Sequence, residues 1–293
     1  MPLEFFVFLP QMRLSFDDLV ARAQAAEGAG FAGIAGMDHL VPPLAATQPM
    51  YEAMVTNAWL AARTSTLRIG SLVLCDSFRH PAMLARESVS IDHASGGRFE
   101  LGIGWGSVPD ELGMFGVGST EAKVRVARLR ETLEVVRALW SGEEVSYQGE
   151  FFSITEGRQA PGPLDRIPIV IGGAGPKTLA LVRDFADWWN LHVGLLHKID
   201  ELREHVGSAG VSIQEMAAFV PSEAERESVT ALATKRFGYS KPVIGSGPEL
   251  VDHYGSLVER GIQRVYVWFT DFAPPATLEA FGAEVITPLT ETA

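Results

Sequence analysis

The stretch SIDHASGGRFELGIGWG, Ser90–Gly106, decides the interpretation of the whole chain. Its first residues have helical character, and the pair Gly96–Gly97 gives the backbone the freedom to reverse. Residues Phe99–Ile103 then alternate as one buried side of a strand does. Three alternating glycines, at positions 102, 104 and 106, leave the backbone bare where this strand ends. The pattern fits either a tight turn or a loop whose amides contact a flat ring or a phosphate.

Short apolar runs that resemble this strand alternate with helical segments along the chain. The eight predicted strands are Leu3–Leu9, Phe31–Met37, Leu67–Leu74, Arg98–Ile103, Ile167–Ile171, Trp188–Val193, Met216–Val220 and Arg264–Phe269. This alternation predicts an α/β fold, a TIM (β/α)8 barrel with an insertion after the fourth helix, in a single domain over residues 1–293. A doubly wound sheet is the alternative. The insertion, residues 145–168, begins as a hairpin and is a candidate lid.

Composition narrows the classes of partner. The 293 residues carry 24 Lys and Arg against 36 Asp and Glu, a formal charge of -12, so we expect no nucleic-acid partner. One cysteine, Cys75, excludes an intramolecular disulfide and a multi-cysteine metal site, and no metal-ligand cluster stands out. No signal peptide and no membrane span are recognisable, so a cytoplasmic protein that binds a small molecule is expected.

In a β/α barrel the site lies at the carboxyl ends of the strands, and polar residues and glycines follow several of the predicted strands. Asp38–His39, after the second strand, is a candidate proton-handling pair, with a capped turn as the alternative. His192, after the sixth strand, is either a site residue or a core histidine with a hydrogen-bond partner. The turn Gly172–Gly175 opens a helix and is the best candidate anion site of the chain.

Four segments together resemble the bacterial luciferase-like family of monooxygenases and F420-dependent oxidoreductases. They are FRHPAMLARESVSIDHASGGRFELGIGWG (78–106), RLRETLEVVRALWSGEEVSYQGEFFSI (128–154), PIVIGGAGPKTLALVRDFADWWN (168–190) and GSGPELVDHYGSLVERGIQRVYVW (245–268). The resemblance implies a luciferase-like TIM barrel that forms a homodimer and binds FMN or the deazaflavin F420 at the mouth of the barrel. It is least specific between residues 208 and 243.

Carried over residue by residue, the resemblance assigns His39 as the main catalytic group, with Asp38 beside it and His192 as a possible helper. Leu72–Val73 matches the position at which the family often has a cis peptide that forms a bulge behind the cofactor ring. The other residues expected around the cofactor, from the strand ends and from the resemblance, are Leu74, Gly104, Trp105, Gly106, Ser107, Gly172, Gly173, Ala174, Gly175, Trp189 and Asn190.

The choice of cofactor depends on the loop after the fourth strand. Some flavin-using relatives have an arginine there that binds phosphate, whereas this chain has Trp105, which favours F420 over FMN. We therefore predict an F420-dependent oxidoreductase that transfers a hydride between deazaflavin and a small organic substrate. The alternatives are an FMN-dependent monooxygenase that receives reduced flavin from a separate reductase, and a flavin-binding barrel without catalytic activity.

Overall fold

A computed structural model describes residues 2–43 and 45–291. Its strands, in chain order, are β1 Glu4–Phe8, β2 Gly33–Gly36, β3 Arg68–Ser71, β4 Leu74–Cys75, β5 Phe99–Gly104, β6 Glu144–Gln148, β7 Ser153–Arg158, β8 Ile169–Gly172, β9 Trp188–His192, β10 Gly210–Phe219, β11 Val243–Gly245 and β12 Arg264–Phe269. Its α-helices are α1 Phe16–Gly28, α2 Ala53–Ala61, α3 Pro81–Ser95, α4 Pro109–Phe115, α5 Ala122–Trp140, α6 Pro176–Phe185, α7 Ile199–Arg203, α8 Arg226–Phe237, α9 Gly247–Glu259, α10 Pro275–Phe281 and α11 Thr287–Glu291.

The predicted barrel is confirmed. Parallel pairing runs β1–β2–β3–β5–β8–β9–β10–β12, and β12 pairs with β1, which closes the sheet into eight positions. The short β4 continues the third position and pairs with the end of β5. The carboxyl ends of all these strands therefore meet at one mouth, which is where a β/α barrel carries its site.

The two faces of β5 show how the sequence pattern becomes packing. Phe99, Leu101 and Ile103 are buried and belong to the apolar layer between the strands and the helices. Glu100 points into the barrel instead, where its carboxylate accepts a hydrogen bond of 2.7 Å from Arg264. The buried Arg264 guanidinium also lies 3.7 Å from the ring centroid of Trp188. This paired cluster fills the barrel at the amino ends of its strands and leaves the opposite end open.

Some boundaries differ from the predicted ones. The seventh barrel strand, β10, begins at Gly210 rather than at Met216, because Ser212 and Gln214 face the barrel interior and weaken its apolar pattern. The short helix α4 and the strand β11 had no counterpart in the prediction.

The hairpin after α5 is confirmed, whereas its role as a lid stays a prediction. Glu131 of α5 accepts hydrogen bonds from the backbone N–H groups of residues 150–152. Tyr147 donates a hydrogen bond of 2.7 Å to Glu134, and the ring of Phe152 packs against His80. These contacts hold β6 and β7 against α5 and against the amino end of α3.

Candidate functional site

Two cavities adjoin at the barrel mouth. The smaller has a volume of about 310 Å³ and is lined by the ends of β2, β5 and β8 together with the β3–β4 connection. The larger, about 670 Å³, is lined from the ends of β1, β2, β9, β10 and β12 and by α8. Met37, His39 and Leu72 line both cavities. Volumes of this size suit a cofactor and a substrate, and a group at the shared wall is accessible from both sides.

The wall between β3 and β4 is a bulge built around a cis peptide bond, Leu72–Val73, at the position that the family resemblance indicated. The bulge lies so close to β5 that only glycine fits opposite it. A Cβ atom at Gly102 would lie 1.8 Å from the backbone oxygen of Ser71, and one at Gly104 would lie 2.8 Å from Cγ2 of Val73. The alternating glycines of β5 therefore permit strand packing, which in turn shapes the smaller cavity.

His39 is held in one orientation by Glu111, a residue that the sequence analysis did not identify. The Nδ1 atom of His39 lies 3.0 Å from Oε2 of Glu111, and the backbone N–H groups of Leu40 and Val41 donate to Oε1 of the same carboxylate. Glu111 itself is buried. Because a carboxylate only accepts hydrogen bonds, the proton of neutral His39 resides on Nδ1 and the lone pair of Nε2 is available at the cavities.

Asp38 does not contact the ring of His39, contrary to the expected tuning of the histidine by its neighbour. Its carboxylate accepts hydrogen bonds of 2.5 and 3.1 Å from Arg79 and one of 2.8 Å from the backbone N–H of Cys75. Burial works against the charge of Arg79, but hydrogen bonding and the charges of Asp38 and Glu52 outweigh it and raise the pKa of the guanidinium. Asp38 thus ties the end of β2 to β4.

Cys75 lines the smaller cavity beneath Gly106. Burial, with a smaller contribution from the charge of Asp38, raises the pKa of this thiol to about 12. The thiol is therefore neutral near pH 7 and is a poor nucleophile there, so it contributes volume rather than reactivity.

The loop after β5 is fixed from behind by an arginine of α5. The buried Arg125 guanidinium lies 5.1 Å from the ring centroid of Trp105, and its Nε donates a hydrogen bond of 3.1 Å to the backbone oxygen of the same residue. Its Nη1 donates to the backbone oxygens of Ser119 and Thr120. Arg125 thereby holds Trp105 at the rim of the smaller cavity.

Most of the predicted site residues come together. Those that line the smaller cavity are Asp38, His39, Leu72, Val73, Leu74, Gly104, Trp105, Gly106, Ser107, Gly172 and Gly173. His192 lines the larger cavity, where its Nδ1 accepts a hydrogen bond of 3.1 Å from the backbone N–H of Gly194. Ala174 lines a separate groove between α6 and α7.

Besides Ala174, three further predicted cofactor residues line neither cavity. Trp189 is fully buried and lines neither cavity, because it faces the helix layer while its neighbour Trp188 faces the barrel interior. Its indole supports the turn after β8 by donating a hydrogen bond of 2.7 Å to the backbone oxygen of Gly173. Asn190 donates to Ser212 inside the barrel, and Gly175 caps α6 outside both cavities.

Sequence analysis also missed the lining of the larger cavity. Its additional residues are Phe8, Met12, Arg13, Pro43, Ala45, Gln214, Met216, Arg236, Phe237, Tyr239, Trp268 and Phe272. They come from four strand ends and from the end of α8, which no local pattern connects. For Glu111 the available signal was Pro109, which is typical of the first turn of a helix and could have indicated α4.

The sequence profile of the luciferase-like monooxygenase family matches residues 3–236, and the chain therefore belongs to that family. It is 31% identical over 211 residues to an F420-dependent glucose-6-phosphate dehydrogenase of Nakamurella multipartita, covering 68% of this chain and 60% of that protein. It is 33% identical over 190 residues to the F420-dependent hydroxymycolic acid dehydrogenase of Mycobacterium tuberculosis, covering 62% and 51%.

These matches span about half to three-fifths of the length of the relatives. A solved structure, the coenzyme F420-dependent tetrahydromethanopterin reductase of Methanopyrus kandleri, superposes with a TM-score of 0.80 at 18% identity and covers 99% of this chain and 100% of that one. At that identity the likeness concerns the fold. Within residues 2–43 and 45–291, no helix combines the length and the apolar character needed to span a bilayer.

Proposed function

We propose that the protein is an F420-dependent oxidoreductase that transfers a hydride between deazaflavin and a small organic alcohol or carbonyl compound. The observation that carries the proposal is His39, which lies at the shared wall of the two cavities and is oriented by Glu111. The names of the two relatives, both F420-dependent dehydrogenases, support the choice of cofactor.

The smaller cavity fits a flat ring with a phosphate-bearing chain. Four of its lining residues are glycines, and the bulge at Leu72–Val73 presents two aliphatic side chains as one wall. Backbone N–H groups of the loop 105–107 would hold the chain and the phosphate, as such groups do in anion sites of other folds. When bound, F420 supplies a two-electron hydride carrier that reacts poorly with oxygen.

The protein's own residues manage the proton. Nε2 of His39 accepts the hydroxyl proton when an alcohol is oxidised and returns it when a carbonyl is reduced. Glu111 keeps Nδ1 protonated, so the same ring nitrogen is always available for this transfer. Asp38 binds the backbone N–H of Cys75 and the guanidinium of Arg79, which holds the end of β2, with His39, in place beside β4 and the bulge.

Titration of the purified protein with F420 and with FMN, followed by fluorescence, tests the cofactor. We expect F420 to bind at least about tenfold more tightly than FMN, because Trp105 stands where an FMN-binding relative has a phosphate-binding arginine. The family description as monooxygenases favours the FMN alternative, in which a separate reductase supplies reduced flavin. FMN binding without F420 binding would establish that alternative, and binding of neither would leave a barrel without catalytic activity.

We also propose that the protein is a cytoplasmic homodimer. Val55 and Trp59 on α2 and Met83 on α3 are 62%, 39% and 53% exposed, and α2 packs against α3. Grouped exposed apolar side chains of this kind mark protein–protein interfaces.

We expect the double variant Val55→Lys, Met83→Lys to dissociate into monomers, because two ammonium groups would have to be buried on each side of the interface. Light scattering after size-exclusion chromatography measures the mass. The matched control is Val258→Lys on α9, an apolar residue with 41% exposure outside this patch. A double variant with the mass of the unchanged protein would contradict the proposed interface.

A further inference from the structure

The larger cavity has an unusual charge balance for this protein. The chain as a whole has twelve more acidic than basic residues. Among the described residues that line the larger cavity, however, none is Asp or Glu, whereas two are arginines, Arg13 and Arg236. Cations without carboxylates, in a protein of net charge -12, indicate a cavity selected for an anionic group.

Both arginines have donors available. Arg236 uses one nitrogen to donate a hydrogen bond of 2.8 Å to the backbone oxygen of Thr270, while its planar group lies 5.1 Å from the ring centroid of Phe272. The guanidinium of Arg13 has no hydrogen-bond or ion-pair partner among the described residues. Its backbone has a φ of 63°, a conformation that favours glycine, so an arginine is present there at a conformational cost.

Apart from Gln214, Tyr239 and the two histidines, the remaining wall is apolar. Its apolar members are Phe8, Met12, Met37, Leu72, Met216, Phe237, Trp268 and Phe272. These side chains, apart from the indole N–H of Trp268, offer no hydrogen-bond partner, so a polyhydroxylated sugar would bury most of its hydroxyl groups unpaired, which costs free energy at each group. The wall suits an aliphatic or aromatic body, and the two arginines suit a carboxylate at one end of it.

His39 and His192 provide a hydrogen-bond acceptor and a hydrogen-bond donor for the reacting group of the substrate. Since Nδ1 of His192 accepts a hydrogen bond from Gly194, its Nε2 carries the proton and donates, whereas Nε2 of His39 accepts. A hydroxyl or keto group on the substrate can use this pair. When the hydroxyl is oxidised, its proton would pass to His39. The hydrogen on the carbon that bears the hydroxyl would leave as hydride, for which the deazaflavin, when bound, is the acceptor.

From these contacts we propose that the larger cavity binds an amphipathic carboxylic acid whose apolar chain carries a secondary hydroxyl or a keto group. The carboxylate is bound by Arg13 and Arg236, and the reacting carbon lies toward His39. The reaction part of this proposal rests on the proposed function. The binding part does not, because the two arginines lie outside the smaller cavity.

Calorimetry on the purified protein with decanoate, 1-decanol and glucose 6-phosphate tests the binding. We expect decanoate to bind at least about tenfold more tightly than 1-decanol, since charge-assisted hydrogen bonds to a guanidinium are strong, and glucose 6-phosphate to bind more weakly than decanoate. Equal affinities for decanoate and 1-decanol, or tighter binding of glucose 6-phosphate, would overturn the proposal.

Substitution of the two arginines tests whether their charge, rather than the shape of the cavity, binds the carboxylate. We expect the double variant Arg13→Met, Arg236→Met to lose at least about tenfold in decanoate affinity while its affinity for 1-decanol changes little, and the double lysine variant to recover part of the loss. Arg183→Met, which removes an exposed arginine on α6, is the matched control and should leave decanoate affinity unchanged. Unchanged decanoate affinity in the double methionine variant would refute the role of the arginines.

A last measurement distinguishes this proposal from the proposed function. F420 is titrated into the same variants, and 9-hydroxydecanoate is compared with 2-decanol as a reductant of bound F420. Absence of F420 binding in every protein would refute the proposed function while the decanoate pattern stands. F420 reduction that is faster with 2-decanol than with 9-hydroxydecanoate would refute the substrate class alone.

Discussion

The His39→Ala variant is expected to lose turnover by on the order of 10²- to 10⁴-fold while it still binds F420, because His39 is the one proton acceptor among the described residues that line both cavities. Stopped-flow absorbance of F420 during a single turnover measures the loss, and fluorescence titration measures cofactor binding. The loss should appear in kcat, since His39 handles a proton that moves during the reaction rather than a group that holds the ground state.

Glu111→Gln is the companion variant that tests how His39 is positioned. All three partners of the Glu111 carboxylate donate hydrogen bonds: Nδ1 of His39 and the backbone N–H groups of Leu40 and Val41. An amide has only one accepting oxygen, so its NH₂ group must face a donor or force His39 into the opposite tautomer. A loss of kcat similar to that of His39→Ala, without loss of F420 binding, is expected. Full activity of His39→Ala would show that His39 does not transfer the proton, and full activity of Glu111→Gln would show that Glu111 does not position it.

The second large effect concerns the strand that carries the alternating glycines. Gly102→Ala is expected to destabilise the protein by at least about 3 kcal/mol, because the new Cβ would lie 1.8 Å from the backbone oxygen of Ser71. Neither group can move aside, since both belong to neighbouring strands of the closed barrel. Urea unfolding followed by tryptophan fluorescence gives the free energy of unfolding.

Gly255→Ala is the matched control. Gly255 lies within α9, and no heavy atom lies within 4 Å of the Cβ that alanine would add. This substitution should increase stability by about 0.5–1 kcal/mol, because alanine loses less conformational entropy than glycine in a helix. If Gly102→Ala were as stable as the unchanged protein, the close approach of β3 to β5 would be incorrect, and so would the shape of the smaller cavity.

Local sequence patterns predicted the barrel because each strand and helix is short and is specified by its own residues. They also placed Asp38–His39 and the glycine loops at the strand ends, since every parallel strand of a barrel ends at the same mouth. The position of a residue along a strand therefore determined most of the smaller cavity.

Patterns failed where direction or distant contacts decided the outcome. Trp188 and Trp189 are adjacent in β9, and the side chains of adjacent strand residues point to opposite faces of the sheet. A prediction that is off by one residue therefore assigns a side chain to the barrel interior when it lies in the helix layer. Glu111 and His39 are 72 positions apart in the sequence, and the helix α4 that carries Glu111 has only 7 residues. Neither relation is encoded within a local window.

The sequence by itself determined the order of strands and helices, the family resemblance and the glycines of Ser90–Gly106. Tertiary structure alone decided what those glycines do: Gly102 and Gly104 admit the β3–β4 bulge, and the bulge forms the wall of the smaller cavity. It also decided that Glu111 is the partner of His39 and that Arg13 and Arg236 meet at the larger cavity. The physical reason is that periodicity reports which side of an element is buried, whereas a site requires atoms from several elements at hydrogen-bond distance.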